Sequence, residues 1–301
     1  VRIMQFKRVL LFGANGQLGR SLYIELSPYF DVIPCINNNS LGNELFENSE
    51  IIIDISNSIQ VKDIISNSKP DIIINSAAYT NVDKCETEKD TAYRINVGGV
   101  KNIIKAIDKK VHFIQISTDY VFDGEKKNYT EIDSTYPKSY YGKTKLEAEN
   151  LIRGTKLNWL ILRANVLFGN NLNSSSSFVS WVYNNLISNK KINVVTDQAS
   201  NPTWTTAFSQ AIRQCIIMKA RGLYHYGCDD LYTRLEFAKL IAKTFNLDLN
   251  LIQKTTTASL NQKAQRPLNS YLNPSKITRE IGVQTYTLDY CMEQIKRINF
   301  E

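Results

Sequence analysis

The run Arg8-Val9-Leu10-Leu11-Phe12 passes straight into Gly13-Ala14-Asn15-Gly16-Gln17-Leu18-Gly19, after which leucines recur at Leu18, Leu22 and Leu26. An apolar run, a glycine turn and a four-residue leucine spacing predict strand, tight turn and helix in that order. Few folds accept that succession. It is the opening of a parallel α/β unit whose helix N-terminus presents free N–H groups to a phosphate. Gly13 permits the turn, Gly16 lets the backbone approach a pyrophosphate, and Gly19 lets the helix close on the strand. Asn15, Gln17 and Leu18 share the same turn and join these glycines as expected cofactor contacts. The spacing is GxxGxxG rather than GxGxxG.

Apolar runs return at 31–36, 51–55, 71–75, 111–117 and 159–163, with helical patterns between them. Nearly continuous apolar strands alternating with helices predict a parallel sheet covered on both faces. Ligands of such sheets sit at the carboxyl ends of the strands. Residues 13–19, Asp54, 77–80 and Thr118 all fall at such ends. The expected fold class is α/β: a Rossmann-like doubly wound parallel sheet with a smaller mixed α/β substrate domain. Residues 1–168 form the nucleotide-binding half. Residues 169–301 form mainly the substrate half, with some segments returning to the first.

Asp54 and Ile55 close the third run and are expected cofactor contacts at its carboxyl end. Asn37-Asn38-Asn39 follow the second strand in place of an acidic residue for the ribose hydroxyl. NADPH is therefore allowed, and NADH stays open. Ser76-Ala77-Ala78-Tyr79 puts small residues where a flat cofactor would lie, and Thr80 comes next on the substrate side. Asn96 is a polar anchor in the following helix, close to the cofactor.

The chemistry is expected where residue 118 ends the fifth run and a helix begins near Tyr140. Tyr141 and Lys145 lie four apart and share a helix face. Reducing a carbonyl needs a hydroxyl to hold its oxygen and an acid to protonate it. Thr118 supplies the first and Tyr141 the second. A free tyrosine has a pKa of about 10. A neighbouring ammonium, Lys145, is expected to lower it.

Composition narrows the classes. The chain has 301 residues, 43% hydrophobic and 22% charged, with a net charge of +7. The basic residues are scattered, and no nucleic-acid motif accompanies them, so an anionic nucleotide fits better than DNA or RNA. Five well-separated cysteines without a CxxC argue against a disulfide framework or a zinc site. No metal cluster is expected from His112 and His225. No apolar run approaches membrane-spanning length, and no signal-peptide layout opens the sequence. No membrane association and a cytoplasmic location are therefore expected.

Several segments together carry a family resemblance: residues 13–19, Asn75-Ser76-Ala77-Ala78-Tyr79-Thr80, 117–124, Tyr141-Gly142-Lys143-Thr144-Lys145-Leu146-Glu147, Asp197-Gln198-Ala199-Ser200-Asn201-Pro202-Thr203, and Arg266-Pro267-Leu268-Asn269-Ser270. They span nearly the whole chain. The set resembles the dTDP-4-dehydrorhamnose reductase family, in the extended branch of the short-chain dehydrogenase/reductase superfamily. The resemblance implies a two-domain reductase with NAD(P)H across the sheet edge and a nucleotide-diphospho-4-keto-6-deoxyhexose in the cleft. It implies Thr118, Tyr141 and Lys145 as the catalytic trio, with Lys145 also holding the nicotinamide ribose. Asp119 and Tyr120 would line the sugar pocket, and Arg266 would lie near the nucleotide diphosphate. Val166 stands where many members carry a tryptophan against the sugar. Arg20-Ser21 stand where enterobacterial members carry a glutamate of a metal-bridged dimer. No metal is expected, and the assembly expected is a monomer or weak homodimer.

Two alternatives stay open. Asp119, acidic and directly after the threonine, suits a nucleotide-sugar epimerase or dehydratase. The run 119–124 is also similar to the non-catalytic regulatory subunit of methionine adenosyltransferase. The polar segment 169–177 reads equally as a lid over the sugar or as a linker.

Overall fold

The computed structural model describes residues 7–37, 43–46, 49–173 and 177–300. Asn38 and Asn39 of the second-strand loop, and 174–176 of the expected lid or linker, lie outside the described residues.

Strands β1 (Arg8–Phe12), β2 (Asp31–Ile36), β3 (Ile51–Ile52), β4 (Ile72–Asn75), β5 (His112–Thr118) and β6 (Asn158–Ala164) are joined in one parallel sheet by Gly222–His225 from the second half. The spatial order is Gly222–His225, β6, β5, β4, β1, β2, β3. The chain moves one way from β1 to β3 and the other way from β4 onward. The switch point therefore lies between β1 and β4, where a ligand crevice opens in such sheets.

The strands read as continuous apolar runs because both faces are buried. Val9, Leu11, Ile74, Ile114, Leu160 and Leu162 face helix α1 (Gln17–Leu26) and helix Thr205–Ile217. Leu10, Phe12, Ile73, Phe113 and Ile161 face the opposite layer. That layer holds α2 (Ser58–Ser68), the short α3 (Val82–Thr87) and α4 (Lys89–Tyr93), α5 (Gly99–Ala106) and α6 (Tyr140–Arg153). Between α4 and α5 the backbone widens into a π-turn over Arg94–Gly98.

One expected strand is shorter than its apolar run. Ile53 still donates to Ile36 O at 2.7 Å, but ladder pairing covers only Ile51 and Ile52. The Asp54 carboxylate takes the Ser56 N–H at 2.9 Å and the chain turns there. A short polar side chain bonding its own backbone competes with the ladder.

The second half does not stand apart. Helix Thr205–Ile217 lies along α1, tied by Ser21 Oγ to Thr205 Oγ1 at 2.7 Å and by Arg213 to Glu25 at 2.6 Å. Three two-stranded pairings build the remaining cap: Leu167–Phe168 with Thr203–Trp204, Ala199–Ser200 with Tyr232–Thr233, and Ile192–Val195 with Ile252–Thr255. Among the described residues no helix is long and apolar enough to cross a membrane. The five cysteines are buried and form no disulfide.

Candidate active site

The carboxyl ends of β1, β4 and β5 open into one cleft of about 870 Å³, near the upper end of the roughly 300–1,000 Å³ usual for ligand sites. Its floor is the glycine turn and the end of β4. Gly13 has φ +80°, and a Cβ there would lie 2.6 Å from Ala77 N. The turn therefore needs glycine for both its conformation and its contact with β4. Gly16 caps α1 without a side chain, leaving the first-turn N–H groups uncovered by any cap. Asn15, Gln17, Leu18 and Gly19 line the same mouth, as do Asn37, Asp54, Ile55, Ala77, Ala78, Tyr79 and Thr80. A flat floor of small residues beside a helix N-terminus suits a dinucleotide.

Partial burial pushes the Asp54 carboxyl up, but bonds from Ser56 and the Arg94 guanidinium, 3.2 Å away, hold it below the usual range. Asn96 does not reach the cleft wall, contrary to the expected cofactor contact. Its Oδ1 accepts from Tyr79 N at 2.7 Å, and its Nδ2 donates to Tyr79 O and to Thr144 Oγ1. Both ends of the amide are used to fix the cleft-lining strand extension to α6.

The catalytic candidates meet at the end of β5. Ser139 caps α6 by accepting from Gly142 N, which sets Tyr141 in the first turn. Gly142 lets that turn touch the chain after β5, for a Cβ there would lie 2.1 Å from Tyr120 O. Thr118 Oγ1 donates to Asp119 Oδ1 at 3.0 Å and lies near enough to the Tyr141 phenol to draw its pKa down. The Tyr120 and Tyr141 rings meet edge to face with centroids 5.6 Å apart. Lys145, one turn further along α6, is buried and donates to Ile116 O at 2.7 Å.

The electrostatics differ from the sequence expectation. The Tyr141 phenol is raised well above its ordinary value, first by burial and then by the Asp119 carboxylate. The Thr118 hydroxyl opposes this. The Lys145 ammonium gives one of its three donors to the Ile116 carbonyl. Burial lowers Lys145 to about 8, with Glu149 pulling the other way. Burial also pushes Asp119 up to about 6, against bonds from Ser270 and Thr118 and the charge of Arg234.

Arg266 is a second departure. It is absent from the cleft wall, and three of its five N–H donors are engaged. Nε bonds Gln262 at 2.6 Å, Nη1 bonds the Tyr120 hydroxyl at 3.0 Å, and Nη2 bonds Asp83 at 2.7 Å. It braces Tyr120 from behind. Val166 does line the cleft, in a left-handed conformation of φ 41°. A β-branched residue is strained there, which marks a position held by its surroundings.

Two features escaped the sequence reading. Glu149 and Arg163 form a buried pair at 2.6 Å, with Ser117 Oγ donating to Glu149 at 2.5 Å and Arg163 meeting His225 Nε2 at 3.3 Å. The signal was the spacing: Glu149 follows Lys145 by four, as Lys145 follows Tyr141. Arg234 also lines the cleft. In the sequence it was hidden at the start of an ordinary helix.

The RmlD substrate binding domain family model matches residues 7–297. The chain is 33% identical to a dTDP-4-dehydrorhamnose reductase of Aggregatibacter actinomycetemcomitans, over 96% of this chain and 98% of that one. It is 32% identical to methionine adenosyltransferase 2 subunit beta of Rattus norvegicus, over 93% and 84%. The crystal structure of dTDP-4-dehydrorhamnose reductase from Bacillus anthracis in complex with NADP superposes with a TM-score of 0.86 at 30% identity, over 98% of this chain and all of that one. Similarity that runs the length of the sheet, the cleft and the cap covers every element that builds this site, and the chain belongs to the dTDP-4-dehydrorhamnose reductase family.

Proposed function

We propose that this protein reduces the C4 ketone of a nucleotide-diphospho-4-keto-6-deoxyhexose, using NADPH, in the synthesis of a surface polysaccharide. One observation carries the reading: the Thr118 hydroxyl and the Tyr141 phenol come together at the wall of the dinucleotide-sized cleft, with Lys145 beside them. NADPH, when bound along Gly13, Gly16 and Ala77, supplies the hydride. Thr118 holds the ketone oxygen. Tyr141 gives it a proton, and a phenol raised by burial enters the reaction in the protonated form that this role requires. Lys145 fixes the end of β5 through Ile116 O and is placed to meet the nicotinamide ribose. Asp119, Tyr120, Thr80 and Val166 shape the sugar side.

In this reading residues 1–168 hold mainly the cofactor and 169–301 mainly the substrate, although Gly222–His225 and helix Thr205–Ile217 complete the cofactor layer. The enzyme works in the cytoplasm as a monomer or weak homodimer. NADPH oxidation against dTDP-, GDP- and UDP-linked 4-keto sugars tests the reading. Stoichiometric oxidation with one of them supports it, and retention of the cofactor with no net oxidation points to an epimerase or dehydratase. The likeness to methionine adenosyltransferase 2 subunit beta favours a second reading, a non-catalytic subunit. Absence of turnover on the whole panel, with NADPH bound, would select it.

A further inference from the structure

Arg234 opens helix Arg234–Thr244, behind the Thr233 cap, and sits in the cleft wall. Its guanidinium carbon lies 5.1 Å from the centre of the Phe178 ring, which also lines the cleft. Among the described residues no hydrogen bond or ion pair engages the guanidinium. Its charge is felt at Asp119 and Tyr120, yet Asp119 is already bonded by Thr118 and Ser270. The contrast with its neighbours is sharp. Arg163 is held by Glu149, and Arg266 by Gln262, Tyr120 and Asp83.

Arg234 is half-buried, so its charge stays within reach of a ligand entering the cleft. A guanidinium also carries five N–H donors in a fixed plane. A cation over an aromatic face keeps its N–H donors for other partners, and those donors bond an anionic oxygen group. A hexose with its C4 oxygen at Thr118 and Tyr141 carries its anomeric oxygen across the ring. The diphosphate attached there leads away from the reacting carbon.

We propose that Arg234, which lines the cleft where Arg266 does not, is the diphosphate-binding residue of the substrate site. The assignment rests on the nucleotide-sugar reading of this cleft. The same donors would accept the carboxylate of a sugar acid, so the probes must separate the two sources of anionic oxygen.

Calorimetric titration of the full chain with NADP⁺ present decides the matter, with dTDP, UDP, thymidine and glucuronate as probes. Arg234→Gln is expected to weaken dTDP or UDP binding by roughly 10- to 100-fold, the range for bonds to a charged group. Thymidine affinity should stay as it is, and Arg234→Lys should recover part of the loss. An unchanged NADP⁺ affinity and melting temperature confirm that the Gln variant is folded. Equal diphosphate affinity in wild type and Arg234→Gln overturns the assignment while leaving the substrate class intact. A wild type that binds no nucleoside diphosphate overturns both. A loss confined to glucuronate assigns Arg234 to a sugar carboxylate and overturns the diphosphate role.

Discussion

Replacing Asp119 by Asn should stabilise the apoprotein, and by an amount that grows with pH. Asp119 is 2% exposed, and burial raises its carboxyl from 3.8 to about 6. The native state therefore holds the proton more tightly than the unfolded chain. Stability falls as pH rises through the window from 3.8 to 6, and the full penalty is present above it. Linkage gives a penalty of about 1.5 kcal/mol at pH 5 and about 3 kcal/mol at pH 8. Asn carries no such charge. It keeps an oxygen for the Thr118 bond, and any mismatch of its amide with Ser270 is independent of pH. The informative quantity is thus the slope. Urea denaturation of both proteins at pH 5, 6.5 and 8 should show the Asn variant gaining about 1.5 kcal/mol on wild type across the range. A stability gap that stays constant, or narrows as pH rises, would refute the argument that burial keeps this carboxyl protonated into mild acid. Activity should move the other way, since Asp119 lines the cleft beside Thr118.

Three further substitutions test other parts of the site. Tyr141→Phe should lower kcat by about 10²- to 10⁴-fold, the range for a lost general acid, while NADPH affinity measured by fluorescence titration changes little. Glu149→Ala leaves the guanidinium of Arg163 buried without its carboxylate, and should cost about 3–5 kcal/mol in urea denaturation. Gly142→Ala forces a methyl to within 2.1 Å of Tyr120 O. It should shift α6, lower the melting temperature and reduce kcat more than it alters NADPH binding.

The sequence by itself determined the sheet. Apolar runs at β1, β4, β5 and β6 need burial on both faces, and only helices on both sides provide it. The glycine turn was legible because one position demands φ above zero against a neighbouring strand. Thr118, Tyr141 and Lys145 were legible because one strand end and one four-residue spacing bring them close. What the sequence could not carry was the use each polar group makes of its neighbours. Arg266 and Arg234 look alike as letters, yet the fold spends one on Asp83 and Tyr120 and turns the other toward the cleft. Asn96 reads as a cofactor neighbour until both ends of its amide are seen on Tyr79 and Thr144. Lys145 reads as a partner of Tyr141 alone, and the fold shows that its ammonium also braces the end of β5 through Ile116 O. Period and glycine placement are properties of a local stretch of chain. Charge, donor occupancy and desolvation depend on residues tens to hundreds of positions apart, so only the packed structure decides them.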